Sequence, residues 1–180
     1  MTHRARPLLL VLAAVFLAGT NHLSAETQIL HYPAEDQSMF AIKAIADWEV
    51  TGIDEVGEFG SLESENGSIL QFRAVDCETE EAALAEIESI GDSTIKMLEE
   101  NYTDVELGDV QELEIAGAPA FELSGTAKDK EGNEVAILST TVILGKTTIA
   151  EVWAAVYPED LASAKETLAS FTPTGSSNGE

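Results

Sequence analysis

Along most of the chain apolar side chains recur at every second position, and in two stretches they recur at every third or fourth. The first period is that of a half-buried strand, the second that of an amphipathic helix. Gln28 to Tyr32 and Phe40 to Ala44 read as short strands, and Trp48 to Val50 continues after a bend at Ala46-Asp47. Val56 to Leu62 reads as a strand interrupted by Gly57 and Gly60, and Ser68 to Val75 as another. Between them Glu65-Asn66-Gly67 signals a tight turn, because Asn-Gly tolerates positive φ.

Thr79 opens the longest predicted helix. Its hydroxyl suits an N-cap, and Glu80 and Glu81 favour the positive end of the helix dipole. Leu84, Ile87, Ile90, Thr94/Ile95 and Leu98 form its apolar stripe as far as about Asn101, with Gly91 weakening the middle. Strands follow from Val110 to Ile115 and from Ala120 to Lys128, joined by a turn at Ala116-Gly117-Ala118-Pro119. Lys130-Glu-Gly-Asn133 is a second hairpin turn. Val135 to Leu144 and Thr148 to Val156 are almost continuously apolar, the mark of strands covered on both faces. The short turn at Gly145-Lys146 makes them antiparallel neighbours. Pro158, Glu159 and Asp160 open a last helix whose inner stripe is Leu161, Ala164, Leu168 and Phe171. No internal repeat is visible. The expected fold class is α+β, an antiparallel sheet of about five to seven strands with helices on both faces, an α/β/α sandwich.

The start of the chain follows a different logic. Met1 to Arg6 is basic, and Leu8 to Gly19 is a run of twelve apolar or small residues. A membrane span needs about 18 to 20, so the run reads as the core of a signal peptide with cleavage after Ala25. An uncleaved anchor is the alternative. The chain then divides into a signal peptide over 1–25, an N-terminal segment over 26–38, one domain over 39–172 and a disordered tail over 173–180. Localisation is expected to be periplasmic or secreted, with no membrane span in the mature chain.

Charge narrows the partners. After residue 25 there are seven Lys and Arg against 33 Asp and Glu, a formal net charge of −26. This argues against a generic nucleic-acid binder, which needs a basic face, and disfavours docking on an anionic membrane. Weak association with divalent cations is expected from the surplus of acids.

Candidate chemistry is sparse. His31 is the only histidine after the leader, so there is no multi-histidine zinc site, and there is no phosphate loop. Cys77 has no internal partner. Asp76, Glu78, Glu80 and Glu81 around it disfavour a thiolate, and it reads as a small half-buried residue rather than a nucleophile. Trp48 and Trp153 are the best sugar-stacking candidates, but each lies in an apolar pattern and reads as core. Asp129 to Glu134 superficially resembles a calcium loop; with Lys130 inside it and the acids out of order, it reads as a turn. Asp54, Glu55, Glu58, Glu63 and Glu65, and the helix acids Glu80, Glu81, Glu86, Glu88, Glu99 and Glu100, read as solvated surface. Asn66-Gly-Ser and Asn101-Tyr-Thr fit the glycosylation sequon, which matters only in a eukaryotic secretory pathway. No residue is assigned a catalytic, cofactor-binding or metal role, and no cofactor is expected.

Taken in order, several of these pieces resemble the PsbP-like family: photosystem II extrinsic subunits, their uncharacterised bacterial relatives and the structurally similar Mog-type Ran-binding proteins. The carriers are Phe40-x-Ile42 leading to Trp48-x-Val50, the strand before a long acidic helix, and Ile115-Ala-Gly-Ala-Pro-Ala120. A charged hairpin turn follows, then two long strands, then Pro158-Glu159 opening a helix that ends in Ser170-Phe171. Ala46 stands where family members often carry proline. The resemblance implies an α/β/α sandwich that works by binding other proteins, without shared catalytic machinery. The metal-binding histidines of some members have no counterpart, since His31 lies outside the matching region. The expectation is therefore an exported, non-enzymatic protein-binding module of the cell envelope or extracellular space, whose partner is another extracytoplasmic protein. The alternative is an acidic divalent-cation (calcium) binding protein.

Overall fold

The computed structural model describes residues 28–52 and 56–175. The expected leader, Asp54, Glu55 and residues 176–180 lie outside the described residues. The elements in order are β1 (Ile29–Tyr32), β2 (Phe40–Lys43), β3 (Glu49–Thr51), β4 (Gly60–Glu63), β5 (Ile69–Asp76), α1 (Glu80–Asn101), β6 (Thr103–Leu107), β7 (Gln111–Ile115), β8 (Ala118–Lys128), β9 (Glu134–Ile143), β10 (Thr148–Val156), α2 (Leu161–Ala169) and β11 (Thr172–Pro173). Apart from a short 3-10 turn at Glu35–Gln37, these make an α+β architecture of two antiparallel sheets and two helices.

The main sheet runs β3-β4-β5-β10-β9-β8, and β6 and β7 both pair along the outer edge of β8. It holds eight strands, more than the five to seven expected. The extra strand is β6, which follows α1 almost directly and offers only Val105 and Leu107 as apolar alternation. β8, at eleven residues, is long enough to carry both short partners, which are separated by Gly108 to Val110. The β7–β8 hairpin turns on Ala116 and Gly117, at φ 49° and 87°. Positive φ at both central residues is what a two-residue type I′ turn requires.

β10 is central, with its apolar residues dividing by parity. Ala150, Val152, Ala154 and Val156 join the cluster that contains Ala164 of α2 and Phe171. Trp153 and Ala155 pack with Leu98 of α1, and Ile149 with Ala83 and Ile90 of α1. The period of two along one strand thus supplies two separate packing surfaces.

Helix α1 begins where expected: Thr79 Oγ1 accepts a hydrogen bond from the Ala82 N–H at 3.1 Å. Its inner stripe follows the expected one from Ile87 to Leu98 and differs at the start. Ala83, Ile90, Thr94 and Leu98 are buried, whereas Leu84 and Ile95 are 58% and 41% exposed. Ala83 and Thr94 keep the same helical spacing with smaller side chains, so close approach to the sheet selects them over the bulkier neighbours.

The second sheet, β1-β2-β11, is tied to the core by aromatic rings. Phe40 stacks between Tyr32 and Phe171 at centroid distances of 5.1 and 4.7 Å, and Phe72 meets Tyr32 and Phe40 edge-on at 6.0 and 6.1 Å. Leu30 and Tyr32 are buried, so residues 28–38 are packed into the domain rather than attached to it. His31 accordingly lies in a paired strand, with its Nδ1 3.1 Å from Ser38 Oγ. At the other end Pro173 pairs with Phe40, so the ordered chain runs past the expected start of the tail. Phe171, held in the stack, brings Thr172 and Pro173 alongside the edge of β2, where proline's missing N–H is tolerated.

Candidate functional site

The length mismatch between α2 and the strands beneath it leaves part of the sheet open. Nine helical residues span about 13 Å, whereas the eleven residues of β8 span about 35 Å. Two adjoining concavities of about 560 and 510 Å³ result, sharing Ser124, Leu138 and Lys165 and so forming one groove. Glu122 and Ser124 of β8 and Leu138 and Thr140 of β9 form the floor, and the register sets Glu122 opposite Thr140 and Ser124 opposite Leu138. Leu161, Lys165 and Leu168 of α2 form one wall; Leu113 and Glu114 of β7 and Glu106 of β6 form the other.

The groove combines leucine side chains with an excess of acids. Leu138 is buried, and Leu113, Leu161 and Leu168 are half-buried against the same core. Glu106, Glu114 and Glu122 outnumber Lys165 among the lining residues. Thr140 is only 2% exposed, and its hydroxyl oxygen has no hydrogen-bond partner among the described residues. A further concavity of about 550 Å³ lies between the start of α1 and the β7–β8 and β9–β10 turns, where the exposed Leu84 sits.

The sequence candidates fall elsewhere. Trp153 is buried and Trp48 is half-buried against the main core. Asp129 is wholly engaged within its turn. Its Oδ1 accepts from the Glu131 and Asn133 N–H groups, and its Oδ2 from Asn133 Nδ2 and the Tyr157 hydroxyl, all at 2.8–2.9 Å. Those bonds, from Asn133 first and Tyr157 next, hold its carboxyl down to about 2. Cys77 packs beside Ala83 and Ile149; burial first, then the Glu86 and Asp76 carboxylates, push its thiol up, against nucleophilic use. Glu58, Glu63 and Glu65 are exposed, as are Glu80, Glu81, Glu88, Glu99 and Glu100 on α1. Among the described residues no group of three or more His, Cys, Asp or Glu side chains converges as a metal site.

Glu86, by contrast, is half-buried and lies 3.6 Å from Arg73. Arg73 also donates from Nε to Glu151 at 2.8 Å and lies over the Phe59 ring at 4.7 Å. Glu151 is 6% exposed and sits directly opposite Arg73 in the β5–β10 register. Reading Thr148 to Val156 as simply apolar overlooked this acid. A lone charge inside an apolar run requires a partner, and Arg73 in the neighbouring strand was the available signal. The groove left no comparable signal, because it depends on where a short helix lands on a long sheet.

By sequence, no protein-family model matches the chain, and no curated protein matches it. By structure, it is similar to cyanobacterial PsbP (CyanoP) from Synechocystis sp. PCC 6803, with a TM-score of 0.57 and 9% identity, over 87% of this chain and 99% of that one. It is also similar to a protein from Bacteroides thetaiotaomicron VPI-5482, with a TM-score of 0.54 and 9% identity, over 86% of this chain and 51% of that one. The chain therefore spans about half the length of the Bacteroides protein. At these identities the likeness is one of fold: the fold is PsbP-like. No helix among the described residues is long and apolar enough to cross a membrane.

Proposed function

We propose that this chain is an exported, non-enzymatic PsbP-like module that binds another protein in the periplasm or outside the cell. The observation that carries the reading is the groove beside α2, where Leu113, Leu138, Leu161 and Leu168 lie among Glu106, Glu114 and Glu122. Protein contacts use surfaces that combine apolar and polar groups. Export is supported by the order of basic start, twelve-residue apolar core and Ala25 at the front of the chain. The fold likeness to CyanoP supports a module of this class. The two packing surfaces of β10, one met by α1 and one by α2, support the two-sided sandwich that goes with it.

The test is retention of a partner by the tagged mature chain from an extracytoplasmic extract of the source organism. The reading expects one saturable partner, retained by the native chain and lost from Ser124→Trp, which fills the groove. Equal retention by both would place binding elsewhere. Calorimetry with calcium chloride addresses the acidic cation binder: saturable micromolar binding would replace the present reading, whereas weak millimolar association is charge screening alone.

A further inference from the structure

The groove also carries information about what fills it. The geometry points to an extended, cationic, amphipathic segment of the partner protein, lying along β8 and β9 beside α2; this rests on the protein-binding reading above. Its length follows from the lining residues. Those of β8 run from Glu122 to Thr126 and those of β9 from Ala136 to Thr140. At strand rise five residues span about 14 Å, which an extended octapeptide covers with residues to spare at its ends. Side chains of such a segment alternate in direction. One set meets Leu113, Leu138, Leu161 and Leu168, and the other reaches the acidic side chains.

Charge fixes the sign of that second set. Glu106 and Glu114 on one wall and Glu122 on the floor line the groove against Lys165 alone, on a chain whose residues after 25 carry a formal net charge of −26. Lys or Arg at alternate positions complements this field, which also speeds encounter. A second copy of the chain would bring its own surplus of acids to the same surface.

Fluorescence anisotropy with a labelled octapeptide of alternating Leu and Lys tests this, beside octalysine and a Leu-Glu octapeptide. At about 0.15 M salt, where surface fields are screened beyond ~8 Å, saturable one-to-one binding of the Leu-Lys peptide alone is expected. Glu122→Lys and Ser124→Trp should each weaken it about tenfold or more, and Glu131→Lys, the same charge change on the distant hairpin, less than about twofold. Melts of each variant confirm folding.

Equal binding of octalysine, or an equal loss from Glu131→Lys, would show a diffuse acidic field and overturn the proposal. Binding of the Leu-Glu peptide would overturn the sign. Dimerisation abolished by Ser124→Trp would assign the groove to a second copy. If a native partner is captured through the groove but no cationic peptide binds, the proposed occupant falls and the protein-binding reading stands. If no partner is captured at all, that reading falls.

Discussion

At the residue scale the most informative feature is the pair Arg73–Glu151, because a charge in the central strand constrains everything around it. Its partners are half-buried at most on the arginine side, so the pair is only partly desolvated. Removing one partner leaves the other charge stranded, and Glu151→Ala is expected to cost about 2–4 kcal/mol. Replacing both, as Arg73→Met with Glu151→Leu, should recover most of that loss. Denaturant melts of the three proteins check it, and a double variant no better than the single would show that the ion pair itself holds the strands. Trp153→Ala should cost about 3–5 kcal/mol, the usual range for emptying a large aromatic site. A loss under about 1 kcal/mol would mean that Trp153 is not core. Asp129 links the β8–β9 turn to pH. Its folded carboxyl is held below its ordinary value, to about 2, by hydrogen bonds from Asn133 and Tyr157. The stability it contributes is therefore complete above the unfolded value near 4 and declines as pH falls through about 2. Melts at pH 5 and pH 2.5 should show a smaller acid-induced loss in Asp129→Asn than in the native chain. Trp153 was legible as core from its apolar neighbours, and Asp129 as a turn residue from the glycine and asparagine after it. The Arg73–Glu151 contact was not, because strand register is set by pairing across the sheet.

At the element scale, the strand pattern located β5, and the near-continuous apolar runs located β9 and β10, to within a residue or so of their bounds, and Thr79 marked the start of α1. What the pattern left open were the edges. β6 is five residues long, and β11 two, and each exists because a neighbour presents an unpaired edge beside it. The helix stripe held from Ile87 to Leu98 and missed only at its start, where Ala83 and not Leu84 is buried, because leucine outweighs alanine in any hydrophobic count although the smaller residue fits closer to a sheet. Gly125 is the point where β6 sits tightly on β8. A Cβ built there would lie 2.3 Å from the Glu106 carbonyl oxygen. Gly125→Ala must displace backbone, and a loss of about 1–3 kcal/mol is expected. Hydrogen exchange should report opening of residues 103–107 before the rest of the sheet; uniform exchange would show that β6 is not a separable edge.

At the scale of the whole molecule, composition dominates. With 33 acids against seven bases after residue 25, most carboxylates have no cationic neighbour, and compaction brings them together. The screening length falls from ~30 Å at 0.01 M salt to ~3 Å at 1 M, which removes most of this repulsion. The melting temperature should therefore rise over that range in sodium chloride at neutral pH, and a flat or falling curve would show that the acids are spread too evenly to matter. The same charge count argues against a generic nucleic-acid binder from sequence alone, whereas the groove needed the fold, since its walls come from β6, β7 and α2, far apart in the chain. The central claim is that this groove is where another extracytoplasmic protein binds. Its most direct test is a photo-crosslinking residue placed at Ser124 in the groove and, separately, at Glu131 on the distant hairpin, with the protein expressed in its native compartment. The account predicts one defined crosslinked partner from Ser124 and none from Glu131. Equal crosslinking from both positions, or none from Ser124, would contradict it.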